Sequence, residues 1–156
     1  MKITLLNEQE TELLGAELWG ILPEKCLVFL KGELGAGKTT LTRGVLRAAG
    51  HKGAVKSPTY TLVEEYDIAD RHFFHFDLYR VKEPEELEWI GIRDYLAQQS
   101  VCFIEWAELG KGFLPQPDIE LWIEAEDEKR VISFNIINEK WKNKIILSWK
   151  NNDIVL

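Results

Sequence analysis

Cysteine, proline, basic charge and membrane-length apolar runs are all scarce in this 156-residue chain. The two cysteines, Cys26 and Cys102, sit at or inside the apolar runs Cys-Leu-Val-Phe-Leu and Val-Cys-Phe-Ile, where a free thiol behaves as a small core residue. Redox and metal roles are not expected of them. With five prolines, no Pro/Ser-rich linker, no internal repeat and no low-complexity segment, the expectation is a single domain over residues 1–156. No stretch is apolar enough for a membrane span and no charged-then-apolar leader follows Met1, so a cytoplasmic chain without membrane contact is expected. Basic residues are outnumbered, 19 Lys and Arg against 26 Asp and Glu, for a net charge of −7. Autonomous binding to a nucleic-acid backbone needs the opposite balance, so any RNA would be reached through a partner. What is abundant is apolar side chain, 46% of residues with six Trp and seven Phe, enough for a sizeable core.

Against that background one segment stands out. Gly32-Glu33-Leu34-Gly35-Ala36-Gly37-Lys38-Thr39, followed by Thr40, satisfies every fixed position of the phosphate-binding loop pattern. Glycines let successive backbone N–H groups converge on phosphates, and a helix that follows presents its unpaired N-terminal donors to the same anion. Lys38 would reach the β- and γ-phosphates and Thr39 would ligate Mg²⁺. The flanks agree: apolar Leu27-Val28-Phe29-Leu30 precedes the loop, and a helical Leu41, Val45, Leu46 pattern follows it and stops at Gly50.

The order of the other elements sets the fold class. Asn7 with Glu10 reads as an N-cap pair opening a helix through Leu22, with Leu13, Leu14, Leu18, Ile21 and Leu22 facing a sheet. Residues 59–66 and 71–78 are β-prone runs separated by residues 67–70, a hairpin. A charged helical stretch opens at residues 83–87, with Pro84 suited to a first turn. Residues 101–106 read as a buried strand, and residues 118–125 with 130–137 as a second hairpin. Hairpins mixed with a strand, loop, helix unit imply an α/β fold with a mixed parallel/antiparallel sheet covered by helices. The tail from Asn138 is ambiguous and receives no element.

Three segments complete a nucleotide site. Val101-Cys-Phe-Ile-Glu105 is an apolar strand that delivers a carboxylate to a sheet edge, beside Mg²⁺. In Arg71-His-Phe-Phe-His-Phe-Asp77-Leu-Tyr79, alternation puts His75, Asp77 and Tyr79 on one face. Asp77 either orients or deprotonates the attacking water, or holds Mg²⁺ through a water. His72 and His75 fall on opposite faces, which leaves no zinc site. Lys56-Ser57-Pro58-Thr59-Tyr60-Thr61-Leu62 lies where other NTPases place a mobile loop whose Thr senses the γ-phosphate, although the same residues also suit a plain turn. Trp106 points away from Glu105 if alternation holds, as core or as an aromatic face near the base.

Gly32 to Thr40, Lys56-Ser-Pro-Thr-Tyr-Thr-Leu-Val63, His75-Phe-Asp-Leu-Tyr-Arg80, Glu85-Glu-Leu-Glu-Trp-Ile-Gly-Ile-Arg-Asp94 and Ile104-Glu-Trp106 together resemble the bacterial TsaE (YjeE) family, in order from about Leu27 to Pro117. Thr11 and Gly15 resemble a further pattern of that family in its first helix. The resemblance implies a P-loop NTPase-like three-layer fold and an ATP- and Mg²⁺-dependent ATPase. It further implies action with the TsaD and TsaB proteins in threonylcarbamoyladenosine modification of tRNA next to the anticodon, the transfer itself belonging to TsaD. Carried over by motif, Lys38 contacts the phosphates, Thr39 and Glu105 hold Mg²⁺, Asp77 is the catalytic carboxylate and Thr59 or Thr61 belongs to a switch-like loop. Trp106 lies near the nucleotide and Thr11 on its adenine side. Two rivals share the loop. A regulatory GTPase lacks support, since neither Asn/Thr-Lys-x-Asp nor a suitably placed Asp-x-x-Gly is present. A small-molecule or nucleotide kinase would need an acceptor pocket and usually several arginines around the transferred group, and the chain has six in all.

Overall fold

The computed structural model describes residues 2–143, which build one seven-stranded sheet with helices on both faces. In chain order the elements are β1 (Lys2–Leu5), α1 (Glu8–Ile21), β2 (Cys26–Lys31), α2 (Lys38–Ala49), β3 (Val63–Ile68), β4 (Arg71–Asp77), α3 (Glu86–Trp89), α4 (Ile92–Ala97), β5 (Ser100–Glu105), a short turn of 3₁₀ helix (Ala107–Gly110), β6 (Ile119–Glu126) and β7 (Lys129–Ile136). Strand order across the sheet is β1-β7-β6-β2-β5-β4-β3. The central four, β6, β2, β5 and β4, run parallel, and the two hairpins add β7 and β3 antiparallel at either side. From β2 the chain reaches β5 on one side and β6 on the other, and such a switch leaves a crevice beyond the carboxyl ends of the strands.

Burial on both faces explains the sequence of the middle strands. All of β5 is buried, and β4 is buried from Phe73 to Asp77, so these strands read as continuous apolar runs rather than alternating ones. One face carries Val28, Leu30, Phe73, Val101 and Phe103 against Leu14, Leu18, Leu41 and Val45 of α1 and α2. The other carries Phe74, Phe76, Cys102 and Ile104 against Leu87, Ile92 and Ala107. Both cysteines are buried free thiols, and burial pushes both above their ordinary value. Lys31 of β2 bonds Glu120 of β6 at 2.7 Å, and that hydrogen bond holds the Glu120 carboxyl below its usual range.

α1 and α2 touch backbone to backbone. A Cβ on Gly44 would run into the Glu12 carbonyl oxygen, and one on Gly15 into that of Leu41, so only hydrogen fits at this crossing. Asn7 caps α1 as its sequence implies, its side chain accepting from Glu10 N at 2.9 Å, while Glu10 returns the bond to Leu6 N. The contact pins the loop-bearing helix to α1, and so brings Thr11 beside the loop.

Several expectations need correction. Leu13 is 60% exposed, because the buried stripe of α1 runs through Thr11, Leu14, Gly15 and Leu18 and Leu13 lies off it by one helical step. The first hairpin strand begins at Val63, not at residue 59. Residues 59–62 are instead a turn closed by Leu62 N to Pro58 O at 2.8 Å, with Leu62 at φ 70°. The charged helix is two short helices broken at Gly91, φ 75°. β1 has no counterpart in the sequence reading, being four residues with no resolvable period. Residues 139–143 form a helical turn, and the rest of the ambiguous tail, residues 144–156, lies outside the described residues.

Candidate active site

The loop between β2 and α2 presents a row of free donors. Gly37 caps α2 in the left-handed region at φ 113°, and the first helical N–H to find a partner is that of Leu41, which donates to Gly37 O at 2.9 Å. Among the described residues the N–H groups of Gly37, Lys38, Thr39 and Thr40 donate to nothing. Four unpaired donors at the positive end of a helix dipole make an anion site.

Two carboxylates arrive beside it by strand register. Asp77 and Glu105 are Cα partners at the ends of the parallel strands β4 and β5, and Glu105 is in turn paired with Leu30, two residues before the loop. Both are nearly fully buried, Asp77 at 4% and Glu105 at 3% exposure, so each requires partners. Glu105 Oε2 lies 2.6 Å from His75 Nε2, and Glu105 Oε1 lies 3.6 Å from Lys38 Nζ. Asp77 Oδ2 accepts from Thr59 Oγ1 at 3.0 Å and Oδ1 from Tyr79 N at 2.9 Å. Lys38, itself buried, donates to Gly32 O at 2.5 Å and lies 4.8 Å from the Trp106 ring centre. A cavity of about 220 Å³ collects Leu34, Gly35, Gly37, Lys38, Thr39, Thr40, Ser57, Thr59, Asp77 and Glu105 in one lining.

Of the remaining candidates, Thr11, Gly32, Glu33 and Trp106 line two other cavities. Thr11 lines one of about 530 Å³ with Asn7, Arg130 and three residues that also line the first cavity, Gly35, Gly37 and Thr40. Trp106 lines another of about 680 Å³ with Gly32, Glu33 and Trp122, and this one shares no lining residue with the first. Trp106 takes φ 57°, which ends the strand alternation and lets its ring lie by Lys38. Ala36 is buried, with its carbonyl accepting from Arg130 Nε at 2.8 Å. Thr61 stands apart, its hydroxyl donating to Glu64 Oε1 at 3.0 Å and absent from the cavity lining.

Sequence reasoning missed two partners. Alternation puts His75 on the face of Asp77, yet its bond is to Glu105 on the next strand, which only the strand register reveals. Arg130 lies 94 positions from Ala36, and no local pattern marks it.

A central parallel strand feeding a glycine-rich loop and a helix, with acidic residues at the ends of the adjoining strands, defines an α/β protein of the P-loop NTPase-like class. The chain belongs within that class to the TsaE family: the profile of the family described as "Threonylcarbamoyl adenosine biosynthesis protein TsaE" matches residues 5–132. It is 55% identical over 125 residues to the tRNA threonylcarbamoyladenosine biosynthesis protein TsaE of Haemophilus influenzae, covering 80% of this chain and 78% of that one. The protein of the same name in Bacillus subtilis is 33% identical over 143 residues, 91% of this chain and 89% of that one. The crystal structure of Bacillus subtilis YdiB superposes with a TM-score of 0.83 at 27% identity, covering 98% of this chain and 96% of that chain.

Proposed function

We propose that this chain is the Mg²⁺-dependent ATPase subunit of threonylcarbamoyladenosine synthesis on tRNA, working in the cytoplasm with the TsaD and TsaB proteins and meeting tRNA through them. The observation that carries the ATPase reading is the convergence of four free N–H groups, Lys38, Thr39, Asp77 and Glu105 on a single cavity. The tRNA pathway rests on membership of the family and on the names of its relatives. The excess of acidic residues supports indirect contact with tRNA.

The loop amides would bind the β- and γ-phosphates. Lys38 would leave the Gly32 carbonyl and Glu105 and turn to the γ-phosphate, where its charge offsets that developing on the transferring group. Thr39 and Glu105 would hold Mg²⁺, a hard cation that suits a hydroxyl and a carboxylate and whose charge neutralises phosphate oxygens. Asp77, fixed at both oxygens by Thr59 and Tyr79 N, would orient the attacking water or take its proton. The Thr11 cavity shares Gly35, Gly37 and Thr40 with the lining of the phosphate cavity, which supports it as the side for the adenine; Trp106 would cover Lys38 rather than the base. The test is a product analysis with purified protein, ATP and Mg²⁺. ADP and phosphate in equal amounts, formed only with Mg²⁺ and with no phosphorylated acceptor, support the reading; a phosphorylated third compound would replace it with a kinase.

A further inference from the structure

The hairpin β6–β7 reaches across the sheet edge to hold the loop. Arg130 Nε donates to Ala36 O at 2.8 Å, while its Nη1 donates to Lys129 O at 2.9 Å and to Asp127 O at 3.4 Å. The guanidinium is thereby fixed to its own hairpin and aimed at one carbonyl of the loop. In a planar trans peptide the carbonyl and the following N–H point in opposite directions. Holding Ala36 O toward Arg130 therefore turns Gly37 N–H away from the hairpin, toward the inside of the loop with the free donors of Lys38 and Thr39.

We infer that Arg130 is a positioning residue for polyphosphate binding, setting the orientation of the Ala36–Gly37 peptide through the single Nε donor. The inference rests on the reading that the loop binds phosphates. Gly37, at φ 113°, forms the far side of this peptide and tolerates a wide range of φ, so an unheld peptide would spend part of its time with the Ala36 carbonyl facing the anion. Pre-setting the donors removes that loss from the binding equilibrium. Arg130 would act through the loop and not by its charge on the ligand.

Gln and Met separate these roles. The amide nitrogen of Gln occupies the same place along the side chain as Nε of Arg, so Arg130→Gln keeps a neutral donor for Ala36 O; Arg130→Met keeps the length and removes the donor. Calorimetric titration with inorganic triphosphate, which has no base or ribose, is the probe, with ATP in parallel. The expected result is near wild-type triphosphate affinity for Arg130→Gln and a loss of about fivefold to tenfold for Arg130→Met, the same factor appearing for ATP, as for one hydrogen bond of about 1 kcal/mol. Equal weakening of both variants would overturn it in favour of simple charge, and unchanged triphosphate affinity in Arg130→Met would overturn it outright. Should wild type bind neither ligand, the phosphate-site reading fails as well, and the two failures are thus told apart. The Ala36 carbonyl-carbon and Gly37 amide-nitrogen chemical shifts of the free protein supply the second readout: they should move in Arg130→Met and stay near wild type in Arg130→Gln, and unchanged shifts in both would count against the inference.

Discussion

At the scale of single residues, the buried carboxylates differ in what holds them. Glu105 faces His75 Nε2 and the Lys38 ammonium, whereas among the described residues Asp77 accepts from a hydroxyl and a backbone N–H. Glu105→Ala should therefore weaken Mg²⁺-dependent nucleotide binding. Asp77→Ala should bind Mg·ATP within a few-fold of wild type and lose turnover by a factor of about 10²–10⁴, the usual worth of a general base. Titrating Mg·ATP against both variants and following phosphate release decides it, and a binding defect confined to Asp77→Ala would reverse the roles. Glu105 and Asp77 were visible in sequence because each ends an apolar strand. The bond of Glu105 to His75 was not, because it crosses between strands whose order is a property of the sheet, nor was the bond that Arg130 of β7 donates to the loop at Ala36, far away in sequence.

At the scale of elements, legibility followed length and period. The loop, α2, β4, β5 and the second hairpin were readable from apolar runs and turn residues, and all lie within a residue or two of where the pattern puts them. The failures have physical causes: β1 is too short for a period, Leu62 N–H is drawn into a turn by Pro58 O, and Gly91 in a left-handed conformation divides the charged helix. The α1–α2 crossing has no counterpart in the sequence reading, where Gly15 enters only as part of a family pattern. Gly44→Ala should destabilise the protein by about 1–3 kcal/mol, because overpacking against the Glu12 carbonyl outweighs the gain in helix propensity of about 0.5–1 kcal/mol. A denaturant midpoint at or above that of wild type would contradict the close crossing. The β2–β6 pair gives a pH dependence with a definite sign. Glu120 titrates below its ordinary value of 4.5 in the folded chain, so the Lys31 bond adds stability above that value and loses it as pH falls through the lower folded one. Glu120→Gln should thus be less stable than wild type near neutrality by about 0.2–1 kcal/mol, with the difference vanishing in acid. Thermal melts of both proteins across pH 3–8 measure this, and a gap that persists in acid would sink it.

At the scale of the whole molecule, the charge balance and the site point outward. With 19 basic against 26 acidic residues the chain should bind tRNA weakly by itself at physiological salt, and tight binding in a filter assay would refute indirect contact. Thr59 links the segment of residues 57–62 to Asp77, and Leu62 O also receives Asp77 N at 3.0 Å, so a nucleotide at the cavity is positioned to reorder that segment. Affinity for TsaD with TsaB should accordingly differ between an ATP analogue, ADP and no nucleotide; equal affinity in all three would remove the gating role. The outcomes for the two carboxylates and for partner affinity depend on the loop at residues 32–39 being a working phosphate site. The most direct measurement is phosphate release from Mg·ATP by wild type and by Lys38→Ala. The account predicts steady release by wild type and none detectable from a Lys38→Ala protein with an unchanged circular dichroism spectrum, and equal rates from the two would contradict it.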